Sequence, residues 1–304
     1  MNRRSFFKAS CGTICLLSSR LVWSCNNAQP VRFGLITDLH YAERQNPDNR
    51  YYSQSKQKLL EAVQVFNKSN LDFIIELGDF KDQDEQPDKR LRTLAYLDEI
   101  ENVMHQFHGP VYHVLGNHDM DSISKQDFLV YTKNHGTVEG ENYYSFVHNR
   151  LKFIVLDANY NEDGSDYNKG NFNWMKAHIP VSQAQWLNAE LSESNYPVIV
   201  FVHQLLDSFS GIGTLVPYIL NAEEIVEILE KSNRVLAVFQ GHFHEGNYSF
   251  RNGIHYFTMK AAVAGSLPEN NCFATVEVDR ELNIHINGFF NCEDQFLKYH
   301  VRFD

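Results

Sequence analysis

The sequence predicts an α/β protein built from two packed mixed β-sheets flanked by helices. Strand-like and helix-like apolar runs alternate through most of the 304 residues. The tail instead carries short strand patterns, with an Asn252-Gly253 hairpin turn. Short polar clusters close one apolar run after another: Asp38-Leu39-His40, Gly78-Asp79, Gly116-Asn117-His118-Asp119, His203, and Gly241-His242-Phe243-His244.

The elements follow in order. Val31 to Thr37 is rich enough in apolar residues for a buried strand, and Ser53 is placed to cap a helix carrying Leu59, Leu60, Ala62, Val63 and Phe66 on one face. Phe73 to Leu77 is the next strand. A helix from Asp88 to Phe107 turns Leu91, Leu94, Ala95, Leu97, Ile100 and Val103 inward, and Val111 to Leu115 returns as a strand. Tyr143 to Val147 and Leu151 to Leu156 form a hairpin around His148-Asn149-Arg150. Asn159 to Pro180 is a long polar loop, the kind of segment that often carries function. A helix at Gln183 to Ser192, a strand at Val198 to Val202, a helix at Ala222 to Lys231 and a strand at Val235 to Phe239 continue the alternation. Phe273 to Val278 and Asn283 to Phe289 then form a hairpin.

The formal charge of -11 argues against nucleic acid as a partner, because phosphate-backbone binding needs clustered Lys and Arg. The first residues read as an address. Arg3-Arg4 precedes Ser5-Phe6-Phe7-Lys8, a modestly apolar stretch from Ala9 to Trp23, and Cys25. This resembles a twin-arginine export signal over residues 1–24, with residues 25–304 as one domain. Val22-Trp23-Ser24-Cys25 resembles a lipoprotein box, which implies lipidation at Cys25 and a periplasmic or cell-envelope location. Any contact with membrane would come through that anchor. Cleavage would remove Cys11 and Cys15, and an exported compartment permits a disulfide between Cys272 and Cys292. Cys292 lies slightly past the hairpin register, so a bridge and two free thiols both stand open.

Every polar cluster follows a predicted strand, and in open α/β sheets the carboxyl ends of strands converge on one crevice. Residues distant in sequence can therefore meet. Taken singly the clusters say little, since Gly-Asp is a common turn and a lone His203 is usually a satisfied core residue. The set of five in this order resembles the calcineurin-like metallophosphoesterases. That resemblance implies the four-layer α/β/β/α sandwich of the family and two divalent metal ions, Mn, Fe or Zn given the mixture of carboxylate and imidazole. One ion would take Asp38, His40, Asp79 and His244, and the other Asp79, Asn117, His203 and His242. Two ions about 3.5–4 Å apart need a shared carboxylate, the role implied for Asp79. The implied reaction is hydrolysis of a phosphoester or phosphoanhydride by a metal-bridging hydroxide. His118 would be the general acid, with Asp119 fixing its tautomer.

Purple acid phosphatases place a tyrosine three residues after the bridging aspartate, but here that residue is Asp82. Tyr41-Ala42, Arg50-Tyr51-Tyr52 and Gly246-Asn247-Tyr248 instead resemble the manganese-dependent ADP-ribose/CDP-alcohol diphosphatases. Arg50 would grip a second phosphate, and Tyr51 and Tyr248 would contact a base or ribose. Tyr51 and Tyr52 could equally staple the helix entry, with Arg50 solvated. The competing expectations are a broad phosphodiesterase or phosphomonoesterase, and a non-catalytic binding protein on the same scaffold. The sequence leaves the oligomeric state open.

Overall fold

The computed structural model describes residues 29–45, 48–86, 89–213 and 216–301. The export-signal reading of residues 1–24 and lipidation at Cys25 lie outside the described residues. Among the described residues no helix is long and apolar enough to cross a membrane.

The first sheet has the order β12-β11-β10-β1-β2-β3, comprising β1 (Val31–Ile36), β2 (Phe73–Glu76), β3 (Val111–His113), β10 (Cys272–Val278), β11 (Ile284–Phe290) and β12 (Gln295–Leu297). Strands β1, β2 and β3 are parallel, and β10 joins β1 antiparallel. The second sheet runs β4-β5-β6-β7-β9-β8, with β4 (Tyr144–His148), β5 (Leu151–Val155), β6 (Val198–Phe201), β7 (Val235–Gln240), β8 (Asn247–Arg251) and β9 (Ile254–Thr258). Both sheets are mixed, as the sequence predicts.

Period-two alternation assigns each strand residue to a layer. In β6, Ile199 and Phe201 face the inter-sheet core, whereas Val198 and Val200 pack outward in a second cluster with helices α4 (Val181–Glu193) and α5 (Ala222–Lys231). The interior between the sheets is aromatic. Phe33 of β1 stacks on Phe73 with centroids 5.1 Å apart and meets the edges of Phe153, Phe201 and Phe239 from the other sheet at 5.7–6.0 Å. Helices α1 (Ser55–Phe66) and α2 (Lys89–Met104) cover the first sheet, completing four layers.

Several local expectations are corrected. Ser53 lies in a short 3-10 turn, and α1 starts at Ser55 without a side-chain cap. In α2, Leu91 is 68% exposed and Ala95 is exposed too, because Thr93, Tyr96 and Met104 complete the buried face instead. A further helix, α3 (Lys125–Tyr131), follows the Asn117 cluster under a Ser124 capping box. Cys272 pairs with Phe290, which leaves Cys292 past register, and the two cysteines are buried free thiols.

Behind the strand ends runs a buried ionic chain. Glu76 Oε1 accepts from the Gly78 N–H at 2.6 Å, His113 Nδ1 lies 3.5 Å from Glu76 Oε2, and His113 Nε2 lies 3.1 Å from Glu101 Oε2. Burial opposes charge on His113, but Glu101 and then Glu76 outweigh it and raise the imidazole to about 10. Burial opposes charge on Glu101 too, but His113 and His105 lower it to about 2. The His113 share of stability is full below its ordinary 6.5 and is lost as pH rises through about 10. The Glu101 share is full above its ordinary 4.5 and is lost as pH falls through about 2. Glu101→Gln is therefore expected to cost about 3 kcal/mol in urea unfolding, the scale of a broken buried pair. The deficit should be greatest between about pH 4.5 and 6.5 and should close toward either extreme.

Candidate metal centre

The ladder between β1 and β2 continues beyond both strands, with Asp38 N–H donating to the Gly78 carbonyl at 3.0 Å and His40 N–H to the Asp79 carbonyl at 2.7 Å. Asp38, His40 and Asp79 are thus laid side by side at the carboxyl end of the first sheet. The ends of β6 and β7 bring His203, His242 and His244 from the second. Asp38, His40, Asp79 and His242 all adopt left-handed backbone, with φ of 52°, 46°, 56° and 67°. That conformation costs about 1–2 kcal/mol per non-glycine residue, and concentrated at one locus it marks a functional site. Gly116 permits the close approach: a Cβ there would collide with the Asp79 backbone nitrogen and carboxylate.

Donor atoms of Asp38, His40 and His244 converge in the first group, and Asp79 adjoins it through His40. His244 Nε2 is 3.3 Å from Asp38 Oδ1 and 3.3 Å from His40 Nε2, and His40 Nε2 is 3.5 Å from Asp79 Oδ2. In the second, His203 Nε2 is 3.2 Å from Asp79 Oδ2, and His242 lies against both. Asn117 sits beside this group, because the N–H of its neighbour His118 donates to Asp79 Oδ1 at 2.8 Å. Ligands around one cation at about 2.0–2.2 Å stand roughly 3.0–3.6 Å from one another, which matches these separations.

The outer atoms are already engaged. Asp38 Oδ2 accepts from Thr37 Oγ1 at 2.7 Å and from the His242 N–H at 3.1 Å. His203 Nδ1 lies 2.8 Å from the Leu77 carbonyl, and His40 Nδ1 lies 3.3 Å from Asp82 Oδ2. These contacts fix Nδ1 as the protonated nitrogen and turn the Nε2 lone pair inward. Asp38 Oδ1, Asn117 Oδ1, His203 Nε2 and His242 Nε2 are buried and make no hydrogen bond. Orphaned donors of this kind, aimed at one place, fit divalent cations.

Electrostatics agree. Burial pushes the Asp38 carboxyl up, but His244, His40 and His203 hold it well below the usual range. Burial likewise opposes ionisation of Asp79, but His203, His118 and His40 hold its carboxyl well below the usual range. Burial, then His203, lowers His242 to about 3 and keeps it neutral, the form that ligates metal. His203 goes the other way: Asp79 and Asp38 outweigh burial and raise it to about 9. The buried carboxylates thus favour positive charge on His203 while His242 stays neutral.

His118 opens onto solvent with its side chain 34% exposed, and its ring lies 4.8 Å from that of His40. Asp119 does not fix its tautomer. The Asp119 carboxylate accepts from the backbone N–H groups of Asp79, Phe80, Lys81 and Gly116, so it holds the two turns together. The carboxylates facing His118 Nδ1 are those of Asp82 at 3.5 Å and Asp121 at 3.7 Å. Burial opposes the charge, but Asp82, Asp79 and Asp121 hold His118 well above its usual value. A carboxylate three residues beyond Asp79 and another just after Asp119 were the sequence signal for these two partners.

Burial opposes the charge of Arg50, but Tyr52 and then Asp82 and Asp79 raise its pKa. The Tyr51 backbone docks on the Val263 carbonyl at 2.9 Å, and it is Tyr52 whose buried ring lies 6.3 Å from His40. Arg44 stacks over that Tyr52 ring at 4.5 Å. The Tyr248 hydroxyl is 2.9 Å from His255 Nδ1, and its ring lines a separate crevice with Lys260, Cys292 and Glu293. Neither of these contacts places Tyr51 or Tyr248 at the metal group. Sequence analysis missed Tyr52 as the inward member of its pair, and it missed Trp174, whose ring lies 6.1 Å from that of His242.

Neighbouring metal-ligand groups, Asp38, His40 and His244 beside Asp79, His203 and His242, with a partly exposed imidazole next to them, define a dinuclear metal hydrolase on a four-layer α/β/β/α scaffold. The family model for calcineurin-like phosphoesterases matches residues 31–246, and the chain belongs to that family. It is 28% identical over 272 residues to a manganese-dependent ADP-ribose/CDP-alcohol diphosphatase of Arabidopsis thaliana, spanning 76% of this chain and 86% of the relative. A protein of the same description from Oryza sativa subsp. japonica is 29% identical over 290 residues, covering 81% and 87%. A dimetal phosphatase from Danio rerio has the same fold, with a TM-score of 0.75 at 21% identity over 89% of this chain and 99% of that one. The protein is a metal-dependent hydrolase of phosphoric esters or anhydrides, and its cofactors are two divalent metal ions.

Asp82 orients both His40 and His118. Asp82→Asn is expected to weaken manganese binding about 10- to 100-fold, the usual effect of losing a carboxylate behind a ligand histidine. Calorimetric titration of the metal-stripped protein checks it.

Proposed function

We propose that this chain hydrolyses the diphosphate linkage of nucleoside diphosphate esters such as CDP-alcohols and ADP-ribose, using manganese. The observation that carries the reading is the set of converging donor groups beside the partly exposed His118. The names of the Arabidopsis and rice relatives support the substrate class and the metal. Asp38, His40, Asp79 and His244 would hold one ion, and Asp79, Asn117, His203 and His242 the other.

Two such ions supply Lewis-acid polarisation of phosphate oxygens and a water acidic enough to attack near neutral pH. The protein supplies the rest. Asp79 places its charge between the two groups, and Asp119 locks the Asp79 turn through backbone N–H groups. Arg50 offers a planar guanidinium for the phosphate that leaves. His118, with Nδ1 turned to Asp82 and Asp121, is left with Nε2 to give a proton to the departing oxygen.

The amino-terminal Arg3-Arg4 segment and Cys25 support a reading in which the enzyme works after export, tethered by lipid at Cys25. Cys25→Ala is then expected to move the full chain from the membrane fraction to the soluble fraction of expressing cells. Unchanged partition would exclude the tether.

For the catalytic reading, metal analysis of the full chain is expected to find two ions per chain. Turnover of CDP-choline and ADP-ribose should exceed that of bis-p-nitrophenyl phosphate. His118→Ala should lower kcat about 10²- to 10⁴-fold, the usual worth of a general acid, with metal content unchanged. A broad phosphodiesterase would reverse the substrate order. A binding protein would show no turnover with either class.

A further inference from the structure

Trp174 stands in the loop between β5 and α4 with half its surface, 51%, exposed. It is not a loose side chain on a loose loop. The segment is anchored before the tryptophan by Lys125, which bonds Asp166 at 2.6 Å and Asp157 at 2.7 Å, and by Gly170 N–H on the Met120 carbonyl at 2.9 Å. Tyr167 and Phe172 stack with centroids 4.4 Å apart, and the Tyr167 hydroxyl donates to the Asn173 carbonyl. Asn173 then closes the turn, its carbonyl accepting from Lys176 N–H at 2.8 Å and its Oδ1 from Met175 N–H at 3.0 Å. The ring so held meets His242 edge-on, at 6.1 Å and 66°.

The two ends of the donor cluster are chemically unlike. At the His242 and His203 end stands a half-exposed indole. At the His40 end stand His118, Tyr52 and the Arg44 guanidinium stacked on that tyrosine. An indole face suits a planar base, and guanidinium groups suit a phosphate. A nucleoside diphosphate ester has both, one at each end of its reacting linkage.

We propose that Trp174 is the platform on which the nucleobase stacks, and that the ester is thereby oriented so that water attacks the phosphorus bearing the nucleoside. The inference rests on the substrate reading above and adds direction to it. With the base on Trp174, the nucleoside phosphate lies over the donor cluster and the second phosphate lies toward Arg50 and His118. The water oxygen bonds to the nucleoside phosphorus. The bond from that phosphorus to the bridging oxygen breaks, and the bridging oxygen leaves with the second phosphate. It takes the His118 proton, and the proton released by the attacking water restores the imidazolium through solvent. The products are a nucleoside monophosphate and an alcohol phosphate.

The test uses the full-length, manganese-loaded protein with CDP-choline and, as a diphosphate diester without a base, P1,P2-dimethyl diphosphate. Trp174→Ala is expected to lower kcat/KM for CDP-choline about 10- to 100-fold, the range of base-on-aromatic stacking, chiefly through KM. Dimethyl diphosphate turnover should stay as in the parent, and Trp174→Phe should recover most of the loss. Hydrolysis in H2-18O is expected to place the heavy oxygen in CMP and none in phosphocholine. An equal loss on both substrates would make Trp174 a support for His242 and overturn the platform. Label in phosphocholine would overturn the orientation. A parent protein that turns over dimethyl diphosphate but neither CDP-choline nor ADP-ribose would overturn the substrate reading, and this inference with it.

Discussion

Two carboxylates, Asp38 and Asp79, are buried together where the ends of two sheets meet, and the molecule is organised around that unfavourable placement. A pair of like charges out of water is stable only if positive charge is brought to it. The fold brings imidazoles from both sheets to that pair, and their inward nitrogens would ligate the metal ions that supply the charge. Left-handed backbone at Asp38, His40, Asp79 and His242 is the local cost, and it persists because neighbouring turns over-determine it. Asp119 is the clearest such support, a carboxylate whose bonds tie the Asp79 turn to the Gly116 turn.

Rigidity comes from the layers. Aromatic rings fill the space between the sheets, so the strand ends from the two halves are held at a fixed separation. Lys58 does similar work at the rim: its buried ammonium donates to the carbonyls of Ala262, Ala264 and Gly265. That segment in turn hydrogen-bonds Thr37 and Asp38. The ionic chain from Glu76 through His113 to Glu101 stands behind the Gly78-Asp79 turn and keeps its donors satisfied.

Chemistry and selectivity occupy different parts of the structure. The ligand groups come from short turns directly at strand ends, where position varies least. The residues that would distinguish one phosphate compound from another, Trp174, Arg44 and Arg50, come from the longer connections. Such connections can change without disturbing the layers beneath them.

The sequence by itself determined the layered α/β fold, because the periods of two and of about 3.6 residues alternate in it, and it determined the candidate donors, because each polar cluster ends an apolar run. It also placed Cys292 past the register of the hairpin that carries Cys272. It misjudged Leu91, since a helical face read from apolar residues alone cannot show that Tyr96 and Thr93 close the interior instead. It assigned Asp119 to His118 because they are neighbours in the chain. Tertiary structure gave that task to Asp82 and Asp121, because a side chain's direction depends on its turn and not on its place in the sequence. The choice between Tyr51 and Tyr52, the distance of Tyr248 from the metal group, and the meeting of Trp174 with His242 were likewise decided only when loops distant in sequence packed around the strand ends.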